Sequence, residues 1–138
     1  MAYRIAPSQS PTPSKATARV KSGDYLSWLH ELPCVITGQR LVEAAHVSFE
    51  NRLLGAPGRG KGAKVSDRWA LPLLPEMHRA QHAMNEREFW RQHGIDPHLI
   101  CLTLWGLWCE RKDDATPIAE AMILARKTGR VVRREGEE

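Results

Sequence analysis

Four side chains in this chain are spaced to do chemistry: His46, Asp67, His78 and His82. His78 and His82 lie four residues apart in PEMHRAQH. On a helix that separation puts side chains on one face, so two imidazoles there can share a metal ion. His46 lies upstream in the apolar run LVEAAHV, which reads as a strand. Metal-assisted cleavage of a phosphodiester needs a base for the attacking water. It also needs a cation to stabilise charge on the phosphorane and the leaving oxygen. A neutral imidazole suits the first task, and His46 fits it. His78 with His82 fits the second. Asp67 reads either as a third metal ligand or as an orienting group. As a ligand it adds negative charge that two imidazoles lack, which helps retain Mg²⁺ or Mn²⁺ as well as softer ions such as Zn²⁺. The competing readings are chance spacing for the histidine pair and a turn or cap beside Ser66 for Asp67. His30, His93 and His98 read as surface or core residues.

The elements that must position these groups follow from local pattern. Leu41 to Phe49 is expected as a strand, with Val42, Ala44 and His46 on one face and Glu43, Ala45 and Val47 on the other. Residues 51–66 are glycine-rich and form a basic loop carrying Arg52, Arg59, Lys61 and Lys64 with no acid. Glycine lets backbone approach a phosphate closely, and these cations can neutralise it, so the four are candidate DNA contacts. Arg68 to Leu74 is expected as the second strand, with Asp67 and Trp69 projecting to one side. Pro75 then opens the helix that carries His78 and His82, with Glu76 favourable in its first turn.

The flanks read as support. Residues 1–22 are rich in Ser, Pro, Thr and Ala, with Arg4, Lys15, Arg19 and Lys21, and are expected as a disordered basic arm. Asp24 is expected to cap a helix from Tyr25 to Glu31, ended by Pro33. Cys34 to Gly38 reads as a strand or knuckle. Asn85 caps a helix to about His93, stopped by Gly94. Asp96-Pro97 opens a longer apolar helix to about Arg111, expected as the main buried one. Thr116-Pro117 starts the last, to about Lys127 and closed by Gly129. The expected layout is one domain over 23–130, with a core at about 33–84, a helical part at about 86–128, and a charged tail over 131–138.

With 138 residues, 42% hydrophobic and 26% charged, the chain fits one α+β domain with tails. The net charge of +4 is concentrated in the arm and the loop, which suits a polyanion. No apolar run reaches membrane-helix length and no signal-peptide pattern opens the chain, so a cytoplasmic location is expected. Three cysteines indicate no disulfide framework. Gly55 through Gly60-Lys61 approaches a phosphate-binding loop, but Gly62 stands where Ser or Thr must hold Mg²⁺, so nucleotide triphosphate binding is rejected. No helix-turn-helix or zinc-finger signature is present, and arms and loops of this kind contact phosphates without reading sequence.

The stretches LPCVITGQRLVEAAHV, GKGAKVSDRWALPLLPEMHRAQH and EFWRQHGIDP together resemble a phage and prophage branch of the HNH nucleases. That branch includes the RecA-dependent recombination enhancement function nucleases. The likeness covers roughly Leu32 to Pro97. It implies a ββα-metal (His-Me finger, HNH) unit packed against several helices, divalent-metal-dependent DNA endonuclease activity, a His46 base, and metal ligands at His78 and His82. It also implies action on DNA in a bacterial host cell, with a RecA filament as partner. Five positions depart from the family pattern. Many relatives carry two CxxC pairs around a structural zinc; here Thr37, Leu74 and Met77 stand beside Cys34. Trp69 occupies the usual asparagine position, which leaves Asp67 to orient or to ligate. Ala45 precedes His46 where an acidic ligand often stands. The alternatives are a catalytically idle ββα module that binds DNA or a recombinase, and a zinc-dependent hydrolase of another substrate. The lack of an HExxH helix counts against the last.

Overall fold

The computed structural model describes residues 20–59 and 64–136, with side chains as far as residue 126. The fold is α+β, in the order α1 (Gly23–Leu29), β1 (Glu43–His46), β2 (Ala70–Leu73), α2 (Pro75–Ala83), α3 (Glu86–His93), α4 (Pro97–Arg111) and α5 (Ala115–Gly136). Strands β1 and β2 pair antiparallel, with Glu43 opposite Leu73 and His46 opposite Ala70. All four residues of β2 are buried. Ala45 and Val47 turn into the core, whereas His46 stays half-exposed.

Both strands are shorter than their sequences suggest, and for β2 the reason is local. The Trp69 N–H donates to the Ser66 carbonyl at 3.0 Å, closing a 3₁₀ turn over Asp67–Trp69. Only the Trp69 carbonyl is left for the neighbouring strand, where it accepts from the Val47 amide at 2.8 Å. Asp67 therefore sits on a turn at the foot of β2, and not on a strand face shared with Trp69.

The start of α1 also differs from expectation. The Ser22 hydroxyl accepts from the Tyr25 amide at 3.2 Å, so Ser22 is the N-cap and Asp24 falls in the first turn. An acid there still favours the positive end of the helix. Tyr25 and Leu29 are fully buried and Trp28 nearly so. Tyr25 meets Trp105 of α4 edge-on at 4.9 Å and donates its hydroxyl to the Ala70 carbonyl at 3.3 Å. Burial pushes its phenol far above the ordinary range. Trp28 donates its indole N–H to the Thr116 hydroxyl at 2.8 Å, which ties α1 to α5.

Residues Cys34–Gly38 form a turn, not a strand. The Gly38 amide donates to the Cys34 carbonyl at 2.8 Å, and the amides of Ile36 and Thr37 point at the Cys34 sulfur at 3.4 Å. Helices α2, α3 and α4 start and stop close to the expected residues, at Pro75, at Asn85 with Gly94, and at Asp96-Pro97. Helix α4 packs against β2, the 67–69 turn and α5, and buries Ile100, Cys101 and Leu104. Helix α5 runs past Gly129, because an interior glycine costs a helix only about 1 kcal/mol and ends it only where the chain turns left-handed. Among the described residues, no helix is long and apolar enough to cross a membrane.

His98 is a core residue with a structural task. It is 1% exposed, donates Nε2–H to the Phe49 carbonyl at 2.8 Å, and meets the Phe49 and Trp69 rings edge-on. Burial holds its imidazole below the ordinary value of 6.5; the Phe49 bond and Asp96 oppose that shift, and Arg87 adds to it. The unfolded chain therefore binds the His98 proton more tightly. The stability His98 supplies is complete above pH 6.5 and is lost as pH falls through that value toward the depressed one. Urea unfolding should show wild type weakening below pH 6.5, and a His98→Gln variant losing part of that dependence.

Candidate functional site

The end of β1, the end of the basic loop and helix α2 enclose an open cleft of about 260 Å³. Its lining includes His46, Ser48, Arg59, Lys64, His78 and His82. No aspartate or glutamate lines it among the described residues. The volume falls short of the ~300–1,000 Å³ usual for pockets that swallow a small molecule. A shallow groove of this kind suits a segment of a larger substrate.

His46 is the last residue of β1, and its Nε2 lies 2.9 Å from Asp67 Oδ1. The other carboxylate oxygen, Oδ2, accepts the Ser22 backbone N–H at 2.8 Å. A carboxylate only accepts, so Nε2 carries the ring proton and Nδ1 keeps its lone pair. Asp67 is 8% exposed, has both oxygens engaged and does not line the cleft. Of its two expected roles the geometry serves orientation of His46. The 67–69 turn aims the carboxylate at β1 and α1, where its oxygens meet His46 and Ser22, so this geometry gives the ligand role no support.

His78 and His82 stack on α2 with ring centroids 4.9 Å apart, as four-residue spacing requires. Glu43, at the start of β1, accepts from His78 Nδ1 at 2.8 Å. That bond makes Nδ1 the donor and leaves the lone pair on Nε2, the way a carboxylate prepares an imidazole that could take a metal. Among the described residues no cluster of three or more His, Cys, Asp or Glu side chains could hold a metal. Among the described residues, the donors that α2 brings to the cleft are two imidazoles. Imidazole nitrogen suits Mn²⁺ and softer ions better than Mg²⁺.

The helix is held at the right depth by a buried amide. Gln81, 1% exposed, donates from Nε2 to the His46 carbonyl at 3.3 Å and to Glu86 Oε2 at 2.7 Å. Glu86 also accepts from the Ser48 amide at 2.9 Å. Burial pushes the Glu86 carboxyl up, while the bonds from Ser48 and Gln81 and the charge of Arg59 pull it back. Ser48, Gln81 and Glu86 thus tie β1 to α2 and α3 beside the histidines.

The loop cations divide. The Arg59 amide donates to the Ser48 carbonyl at 3.0 Å, which seats Arg59 on the cleft wall. Gly58 makes this possible: its φ is +76°, and a Cβ there would lie 2.9 Å from the Glu50 nitrogen. Lys64 lines the cleft from the other end of the loop. Arg52 stands apart on an exposed turn, 3.8 Å from Glu50. Lys61 lies outside the described residues, as does the arm up to residue 19. Residues 20–22, expected within that arm, instead hydrogen-bond to residues 66 and 67.

Sequence reasoning missed Ser22, Glu43, Gln81 and Glu86. Gln81 carried a faint signal, lying between the two helix histidines. Each of the others bonds to a partner at least 35 positions away, Ser22 to Asp67, Glu43 to His78 and Glu86 to Ser48, which no local pattern reveals. A family model described as "Protein of unknown function (DUF968)" matches residues 11–105. No curated protein and no solved structure matches the chain.

Proposed function

We propose a reaction for a chain that belongs to the DUF968 family, whose description assigns none: metal-dependent hydrolysis of DNA phosphodiesters by an HNH-type endonuclease. One observation carries it. A carboxylate-held imidazole and a pair of helix imidazoles open on the same cleft, which, among the described residues, two cations line and no acid does. Strand β1, strand β2 and helix α2 follow one another in the order of a ββα-metal unit, which is the fold reading that goes with this chemistry.

In this reading Arg59 and Lys64 hold the scissile phosphate by charge. His46, with Nε2 tied to Asp67, presents Nδ1 to the attacking water and takes its proton. His78 and His82 would hold the divalent ion, which supplies charge stabilisation at the phosphorane and the leaving oxygen. Gln81 and Glu86 keep the His46 and α2 groups in register. A free nuclease with no base-reading element endangers its own genome, so its restraint comes from a partner or a DNA structure. The family resemblance supplies a RecA filament as that partner.

The test is supercoiled plasmid incubated with the protein and Mn²⁺ or Mg²⁺, with and without RecA-coated single strands. Conversion to nicked or linear DNA that stops on chelation supports the reading. Tight DNA binding with no cleavage under any of these conditions replaces it with the idle binding module.

A further inference from the structure

A carboxylate that bridges two donors cannot be swapped for an amide without choosing between them. Asp67 is such a bridge, with His46 Nε2 at 2.9 Å and the Ser22 backbone N–H at 2.8 Å. The two donors are not equal. An imidazole nitrogen can change from donor to acceptor by moving its proton, whereas a peptide N–H can only donate. The Ser22 amide is also fixed in place. The Val20 amide donates to the Ser66 hydroxyl at 2.9 Å, and the Asp67 amide donates back to the Val20 carbonyl at 2.8 Å. On the other side Ser22 caps α1, accepting from Tyr25 through its hydroxyl and from Leu26 through its carbonyl. Residues 20–22 are thus a strap laced between α1 and the foot of β2.

We propose that the Ser22 backbone amide, held by this strap, fixes the orientation of the Asp67 carboxylate, and that Asp67 so held fixes the tautomer of His46, so that Nδ1 is the atom that accepts the water proton. The inference rests on the base role given to His46 above. It makes Ser22 and Asp67 positioning groups that touch no substrate.

The consequence runs against ordinary expectation for conservative substitutions. In Asp67→Asn the side-chain carbonyl must face the Ser22 N–H, since nothing else can accept there. The amide NH₂ then faces His46 Nε2, which must accept, so the ring proton moves to Nδ1 and blocks the base. In Asp67→Ala neither tautomer is imposed, and part of the population keeps Nδ1 free. Cleavage should therefore fall in the order wild type, Asp67→Ala, Asp67→Asn, with the asparagine variant slower than wild type by about 10²–10⁴-fold. A purely structural carboxylate predicts the reverse, because asparagine keeps the shape and alanine leaves a gap beside Ser22.

Long-range ¹H–¹⁵N NMR of the metal-free, full-length protein reads the tautomer directly. The expected result is Nε2–H in wild type and Nδ1–H in Asp67→Asn, with thermal unfolding confirming that both are folded. An Asp67→Asn variant that keeps Nε2–H, or that cuts faster than Asp67→Ala, overturns the proposal. A wild type that cuts no DNA while its rings show the expected tautomers removes the nuclease reading and leaves the tautomer assignment standing.

Discussion

His46→Ala should leave the protein folded with its Mn²⁺ affinity unchanged and, on the proposed mechanism, slow plasmid cleavage by about 10²–10⁴-fold, the range a positioned general base supplies. The fold survives because His46 is half-exposed and its ring makes one hydrogen bond, to Asp67. Leaving that carboxylate oxygen without its partner costs about 1–3 kcal/mol, against a typical domain stability of ~5–15 kcal/mol. Metal affinity should survive because the proposed ligands His78 and His82 sit on another element, α2, where Glu43 accepts from His78. Circular dichroism, calorimetry with Mn²⁺ and a cleavage time course separate the three properties. An undiminished rate in a folded variant takes His46 out of the chemistry.

Removing both helix imidazoles has the other large effect. On the proposed reading His78→Ala with His82→Ala should abolish calorimetric Mn²⁺ binding, and cleavage with it, because α2 offers no other ligating side chain to the cleft. His82→Ala alone weakens binding, and excess metal restores part of the activity. Glu43→Ala should lower affinity by about 10–100-fold, the usual cost of removing a carboxylate that orients a ligating histidine. Its bond to His78 Nδ1 is what the variant loses. Equal Mn²⁺ affinity in the double variant and wild type shows that the ion, if one binds, is held elsewhere.

Much of the site was legible in the chain because it depends on local geometry. The four-residue spacing of His78 and His82 means one helix face wherever that helix packs. Pro75, Asn85 and Asp96 mark helix starts through bonds to residues three positions on, or through a missing N–H that costs nothing. The Arg59 and Lys64 charges sit in a segment too rich in glycine to be anything but a loop. Ser22 was harder, because Asp24 is an equally good cap by type, and only the packing of Tyr25 and Leu29 selects the turn that starts earlier.

Tertiary structure alone decided which groups Asp67 meets. Its type and its place near Trp69 suited ligation as well as orientation. A single 3₁₀ turn, closed by the Ser66 carbonyl, sets it between His46 and a peptide N–H 45 positions away. The pairing of Glu43 with His78 spans 35 positions and exists because β1 and β2 are in register, with Glu43 opposite Leu73 two residues before α2 begins. Residue type and spacing settle which groups are present and which neighbours share a turn. The atom of an imidazole that carries the proton is set by a partner brought in from a distant part of the chain, and only packing can bring it.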